Sequence, residues 1–379
     1  MSNESFAIKR LANDFWRGLR LVHWAPFVVA IFVFVLSLIG LEYSFRTGLY
    51  ARIPLGYLMR DSKDLFMHTA YTVAALKQMP PKELQIYSVG GSSMAYAFRE
   101  NEFKVMLRDR LRQPVGFHNF ASGMQPIHES VAIIDNLPPY SGLVLMGVNP
   151  RIMSRELKED RERWRLHNLL IFSPTRNTML EKQGIYESFL FPHIIWRLKH
   201  QLWVHRGQIL RAQLPYSDFK PTWFEMEPHS AEKKTWKIEK YAEKNRDNYA
   251  ARIQSNLEAL KTLVRTTRRK SLGLVLVELP LNPVGLKAMG TEFMATYRND
   301  MRAFTREQGV AYWEYPQLDL HPEEYYDANH VMASARMKIE KATVSALSRC
   351  QSRPIYRLPT SKTDEVFPPR VDCHLGELG

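Results

Sequence analysis

The chain has 379 residues, 45% hydrophobic and 24% charged, with 52 Lys and Arg against 39 Asp and Glu for a net charge of +13. At roughly 150 residues per domain this is a globular protein of two or three units with ample chain for a core, which excludes a disordered tail, a coiled coil and a polytopic transporter. Two cysteines are too few for a disulfide scaffold or a multi-ligand zinc site. The positive balance suits nucleic acid, but equally an anionic membrane or polysaccharide.

Residues 21–41 are 21 consecutive positions without a formal charge, and such a helix spans about 30 Å, the thickness of a bilayer core. The run exceeds the usual apolar stretch of a cleaved signal peptide and ends in Leu-Glu-Tyr rather than a small-x-small site. It is read as an uncleaved transmembrane anchor over 21–42. Lys9, Arg10, Arg17 and Arg20 precede it against Glu4 and Asp14, four minus two, whereas 42–64 carries four basic and three acidic residues. The positive-inside bias then leaves 1–20 in the cytoplasm and the remainder outside, as a single-pass protein of a bacterial inner membrane with a periplasmic or extracytoplasmic domain.

Residues 43–80 mix charges with an amphipathic piece and read as a helical stalk ending at Pro80-Pro81. A strand at 84–89 enters Gly90-Gly91-Ser92-Ser93, and 95–111 reads as a helix. A short strand at 115–120, a turn at Gly123, a helix through Asn136 and the apolar run 143–146 follow. Strands at 272–279 and 310–315 flank a helix at 292–307, and a helix at 334–347 closes the fold. Strands alternating with helices predict a doubly wound parallel α/β sheet over 81–150 and 270–350. The intervening 151–269 lacks strand signals and reads as a helical insertion at the sheet's working edge, with helices at 155–171, 191–213 and 232–269. The proline-bearing tail 351–379 reads as extended.

In an open parallel sheet, ligands bind beyond the carboxyl ends of the strands. The polar residues there are Ser92 and Ser93, Gly123, Asn149, and Asp327 with His330. They suit acyl transfer through serine: His330 as base, Asp327 orienting it, and an oxyanion met by the amides of Ser93 and Gly123 and the side chain of Asn149. Four segments, Gly91-Ser92-Ser93, Asn119-Phe120-Ala121-Ser122-Gly123, Gly147-Val148-Asn149 and Asp327-x-x-His330, resemble in order the conserved blocks of SGNH (GDSL-like) hydrolases. Among these the chain is similar to the membrane-anchored exported branch that includes the D-alanyl transfer protein of teichoic acid systems and alginate O-acetylation proteins. The resemblance implies a three-layer α/β/α fold and Ser93 as nucleophile, with Ser92 as the rival because the first block reads Gly-Ser-Ser.

The expected activity is that of an exported serine acyltransferase, O-acetyl or similar, acting on a cell-envelope or secreted polysaccharide. A multi-spanning membrane O-acyltransferase is the expected donor, and no cofactor or metal is needed. A deacylase of the same fold and a non-catalytic assembly subunit of a polysaccharide synthesis or export complex are the alternatives. The basic run 265–270 reads as compensation of a helix end rather than a nucleic-acid site. His128-Glu129 lacks a second metal-spaced histidine and reads as helix surface. The segment 191–213 carries Ile194, Ile195, Leu198, Leu202 and Ile209 on one face and reads as a core-facing or membrane-docking helix. Cys350 and Cys373 could tie the tail to the last helix in an oxidising compartment.

Overall fold

The structure is a computed structural model; it describes residues 24–47, 65–139, 142–156, 171–185, 229–315 and 318–351, together with 13–14, 16–18 and 49. Helix α1 (Trp24–Thr47) covers the apolar run from Trp24 onward. Its window Trp24–Ser44 is long and apolar enough to cross a membrane, and none of it is buried by the rest of the protein.

Five strands form one parallel sheet: β1 (Leu84–Val89), β2 (Val115–Asn119), β3 (Gly142–Val148), β4 (Gly273–Glu278) and β5 (Ala311–Glu314), in the order β2-β1-β3-β4-β5. The runs LVLM and LVLV are apolar throughout because helices cover both faces of the sheet, so successive side chains enter opposite cores. Val144, Met146, Leu274 and Leu276 join one core, while Leu143, Leu145, Val275 and Val277 join the other. Helices α2 (Leu65–Gln78), α5 (Ile127–Asn136), α8 (Ala231–Arg269), α9 (Pro283–Met289) and α10 (Thr291–Gln308) supply the first face. Helices α3 (Ser92–Ala97), α4 (Glu100–Leu111) and α11 (Ala333–Gln351) supply the second. The short helices α6 (Pro150–Met153) and α7 (Pro174–Lys182) follow β3.

Several expectations change. The supposed stalk 43–80 contains α2, whose Phe66, Ala70 and Val73 are buried in the first core; an amphipathic helix buries its apolar stripe wherever a sheet-covering helix offers a partner, here α5. The supposed insertion 151–269 ends in the crossover helix between β3 and β4. The later part of α8 buries Ala259, Leu260, Leu263 and Val264 against the sheet, so it belongs to the sheet domain. The expected helix 95–111 is broken at Phe98 and Arg99, both extended. The Asn119 side-chain amide donates to the carbonyls of Ala95 (3.2 Å) and Phe98 (2.9 Å), and Glu340 accepts the Arg99 amide at 2.8 Å, so the break leaves these groups paired. His128 and Glu129 are 1% and 0% exposed rather than on a surface, because α5 is packed by α2, α7 and α8 besides the sheet.

The basic run lies at the end of α8, where Arg269 donates to Asp135 (2.6 Å) and Thr175 (2.8 Å) and Lys270 to the Leu137 carbonyl (3.0 Å). Between 151 and 269, residues 157–170 and 186–228 lie outside the described residues, and with them most of the expected helix 155–171 and all of 191–213. The tail from 352, and so the proposed Cys350–Cys373 link, lies outside them as well.

Candidate active site

The strand order reverses direction at β1, so the crevice between the carboxyl ends of β1 and β3 is where a doubly wound sheet accepts a ligand. At that crevice β1 runs into Gly90-Gly91 and α3 begins at Ser92. Gly90 has φ +132°, and a Cβ there would stand 3.1 Å from the carbonyl oxygen of Gly147 in β3. Gly91 has an ordinary φ of −72°. Gly90 is therefore the glycine the turn requires. The loop after β2 clamps this turn: Gln125 Oε1 accepts the Gly90 amide at 2.5 Å, and the Ser122 amide donates to the Gly90 carbonyl at 3.1 Å.

The acid–base pair arrives on the loop between β5 and α11. The Asp327 carboxylate accepts the backbone amides of Asn329 and His330, each at 3.1 Å, and its Oδ2 lies 2.8 Å from His330 Nδ1. A carboxylate only accepts, so Nδ1 carries a proton, and in the neutral ring Nε2 is then the acceptor. Burial raises the Asp327 pKa, but the hydrogen bond and charge of His330 and the two amides outweigh it and hold the carboxyl below its ordinary value. His330 Nε2 lies 2.6 Å from the hydroxyl of Ser92.

Ser93, the expected nucleophile, is not the serine His330 meets. Its hydroxyl accepts the Asn149 side-chain amide at 3.0 Å and is 5% exposed. Asn149 in turn caps α6, its Oδ1 accepting the Ile152 amide at 2.9 Å. One Asn149 N–H is thus held by Ser93, and the amide plane is fixed at both ends. Gly123 stands exposed on the loop that clamps the glycine turn. The arrangement lines up a serine hydroxyl, an imidazole and a carboxylate through hydrogen bonds, with a side-chain amide at the neighbouring strand end.

Three supporting residues escaped the sequence reading. Asn282, fully buried after β4, donates to the Asp327 carbonyl (3.0 Å), and its backbone amide donates to the Ala328 carbonyl (3.0 Å), pinning the acid–base loop to the sheet. Gln125 clamps Gly90. The Tyr96 ring packs on the His330 ring with centroids 4.8 Å apart. Burial and the nearby Asp327 and Tyr326 push its phenol up to about 12, so it stays neutral. Scanning the end of β4 as the other strand ends were scanned leads to Asn282; Gln125 and Tyr96 carry no comparable signal.

Among the described residues no cluster of His, Cys, Asp and Glu could hold a metal ion. In comparison with known proteins, the chain matches no family model and no curated sequence.

Proposed function

We propose that the chain is a membrane-anchored serine acyltransferase that carries an acyl group on Ser92 and delivers it to a hydroxyl of a cell-envelope or secreted polysaccharide. The observation that carries this reading is the 2.6 Å contact between Ser92 Oγ and His330 Nε2, with Asp327 2.8 Å behind the ring. In the first half-reaction Ser92 Oγ adds to the acyl carbonyl while His330 Nε2 takes the hydroxyl proton. The oxyanion meets Asn149 Nδ2 and backbone amides of the Ser92 turn and of Gly123. Collapse breaks the donor ester, and the leaving oxygen receives the proton from His330. In the second, His330 deprotonates the acceptor hydroxyl, its oxygen adds to the acyl-serine carbonyl, and Ser92 recovers its proton.

The apolar α1 and its basic flank support a single-pass topology with the N-terminus in the cytoplasm and the sheet domain outside the inner membrane. Tethering keeps Ser92 at high effective concentration near a membrane-embedded donor, the role suited to a multi-spanning O-acyltransferase. The test uses the full-length protein in detergent with p-nitrophenyl acetate. The expected result is a burst of about one nitrophenolate per chain, with slow turnover that a polyol acceptor accelerates. Ser92→Ala and His330→Ala should abolish the burst, and Asp327→Asn should slow it on the order of 10⁴-fold. A burst that survives Ser92→Ala contradicts the proposal; turnover indifferent to acceptor makes the protein a hydrolase.

A further inference from the structure

A turn that needs a positive φ is ordinarily filled by glycine or asparagine. Among the described residues, three other than glycine carry a positive φ: Arg112 (+52°), Met124 (+57°) and Ser271 (+53°). Arg112 and Ser271 follow the ends of α4 and α8, where helices commonly close on one left-handed residue. Their amides donate to the carbonyls of Arg108 (3.0 Å) and Arg268 (2.9 Å). Met124 ends no helix. It is the third residue of the turn Ser122–Gln125, closed by the Gln125 amide on the Ser122 carbonyl at 3.1 Å. Glycine would fit there without strain, whereas a long side chain gains the backbone nothing. Nor does the methionine fill the core, since it is 56% exposed.

The turn is nevertheless held from several directions. Ser122 and Gln125, both buried, grip the carbonyl and the amide of Gly90, two residues before Ser92. The Arg155 guanidinium donates to the Met124 carbonyl. Arg155 is itself tied to α8 by Asn256, whose side-chain amide donates to its carbonyl at 3.0 Å. A rigid mount, an exposed apolar side chain and a backbone conformation unfavourable to it thus occur together at the rim of the Ser92 cleft. Strained residues persist at functional sites where their surroundings hold them, and here the side chain is what the strain retains.

The strand order decides which part of a substrate this side chain meets. His330 reaches Ser92 from the β5 end of the sheet, whereas Met124 follows β2, beyond β1 on the opposite side. The leaving oxygen and the acceptor hydroxyl each exchange a proton with His330 and so lie on its side. The carbon chain of the acyl group departs from the same carbon on the other. We propose that Met124 is a specificity-determining residue, the lip against which the acyl chain of a Ser92-bound ester lies. Its thioether chain is unbranched and polarizable, which suits contact with a flexible alkyl group. The catalytic consequence rests on the acyl-serine reading above; the contact itself does not.

The experiment compares p-nitrophenyl acetate with p-nitrophenyl butanoate on the full-length protein in detergent. Met124→Gly should lower the butanoate-to-acetate ratio of kcat/KM about fivefold, through KM, because the longer chain loses an apolar neighbour. Met124→Leu should keep the wild-type ratio. Ser271→Gly relieves a positive φ at the opposite edge of the sheet and should leave the ratio unchanged. Relief of left-handed strain exceeds the added freedom of the unfolded chain, so both glycine variants should melt no lower than wild type. A lower melting temperature for Met124→Gly alone, an unchanged ratio, or equal loss on the two esters would overturn the lip. A second measurement needs no chemistry. In Ser92→Ala protein labelled with ¹³C at the methionine methyls, the resonance that Met124→Gly removes should move with ethyl butanoate and hardly with ethyl acetate. Movement beside a wild-type protein whose Ser92 takes no acyl group would sink the acyl reading and leave the lip standing. A nitrophenolate burst beside an unmoved resonance would do the reverse.

Discussion

Successive side chains at the start of a helix point about 100° apart, so Ser92 and Ser93 cannot share a partner. Ser92 is half-buried and meets His330, whereas Ser93 turns inward to Asn149. Which serine takes which place is decided by the glycine before them. Only Gly90 combines a positive φ with a close approach to β3, and this sets the turn as Gly90-Gly91-Ser92. Gly90→Ala is therefore expected to cost about 2 kcal/mol or more and to displace Ser92 from His330, while Gly91→Ala, at an ordinary φ, leaves the fold nearly unaffected. Thermal melts with nitrophenolate release read both effects, and equal melting of the two variants would refute the assignment. The sequence carries both glycines without showing which is strained. Counting from Gly91 leads to Ser93, and only the approach of Gly90 to Gly147 resolves the frame.

At the scale of elements, α2 illustrates how position hides from pattern. An amphipathic helix after an anchor reads as a stalk, because nothing local reveals that α5 waits to receive Phe66, Ala70 and Val73. A chain starting at residue 50 should fold as a soluble protein. One starting at residue 80 removes all three and should lose at least the 3–5 kcal/mol or so typical of deleting one buried phenylalanine side chain. Equal denaturant midpoints for the two would return α2 to the role of a stalk.

The junction of α3, α4 and α11 offers a second element-scale test. Burial raises the Glu340 carboxyl to about 7, against the Arg99 amide and the Arg336 charge. The folded protein thus holds a proton that the unfolded chain releases at ordinary carboxylate pH. Stability from this group is present at low pH and is lost as pH rises toward and through about 7. Glu340→Gln keeps an acceptor for the Arg99 amide without the charge. It should melt at or above wild type at about pH 8 and show a flatter decline from about pH 5; parallel melting curves would contradict this.

For the molecule as a whole, the sheet and its ligand edge were legible because buried parallel strands leave apolar runs and their ends leave polar residues. The five strands fall within a residue or two of expectation, and Asp327-x-x-His330 falls on the β5–α11 loop. What stayed hidden depends on contacts across the chain, such as the burial of His128 and Glu129 under three helices and the Asn282 brace beneath Asp327. Helix α1 is long and apolar enough to cross a membrane, while the proposed chemistry turns on one oxygen atom, the Ser92 hydroxyl. The most direct measurement treats the full-length protein in membranes with a fluorophosphonate probe and locates the adduct by peptide mass spectrometry. Modification of Ser92 is expected, lost in His330→Ala and retained in Ser93→Ala. Modification of Ser93 instead, or an adduct on Ser92 indifferent to His330, would contradict it.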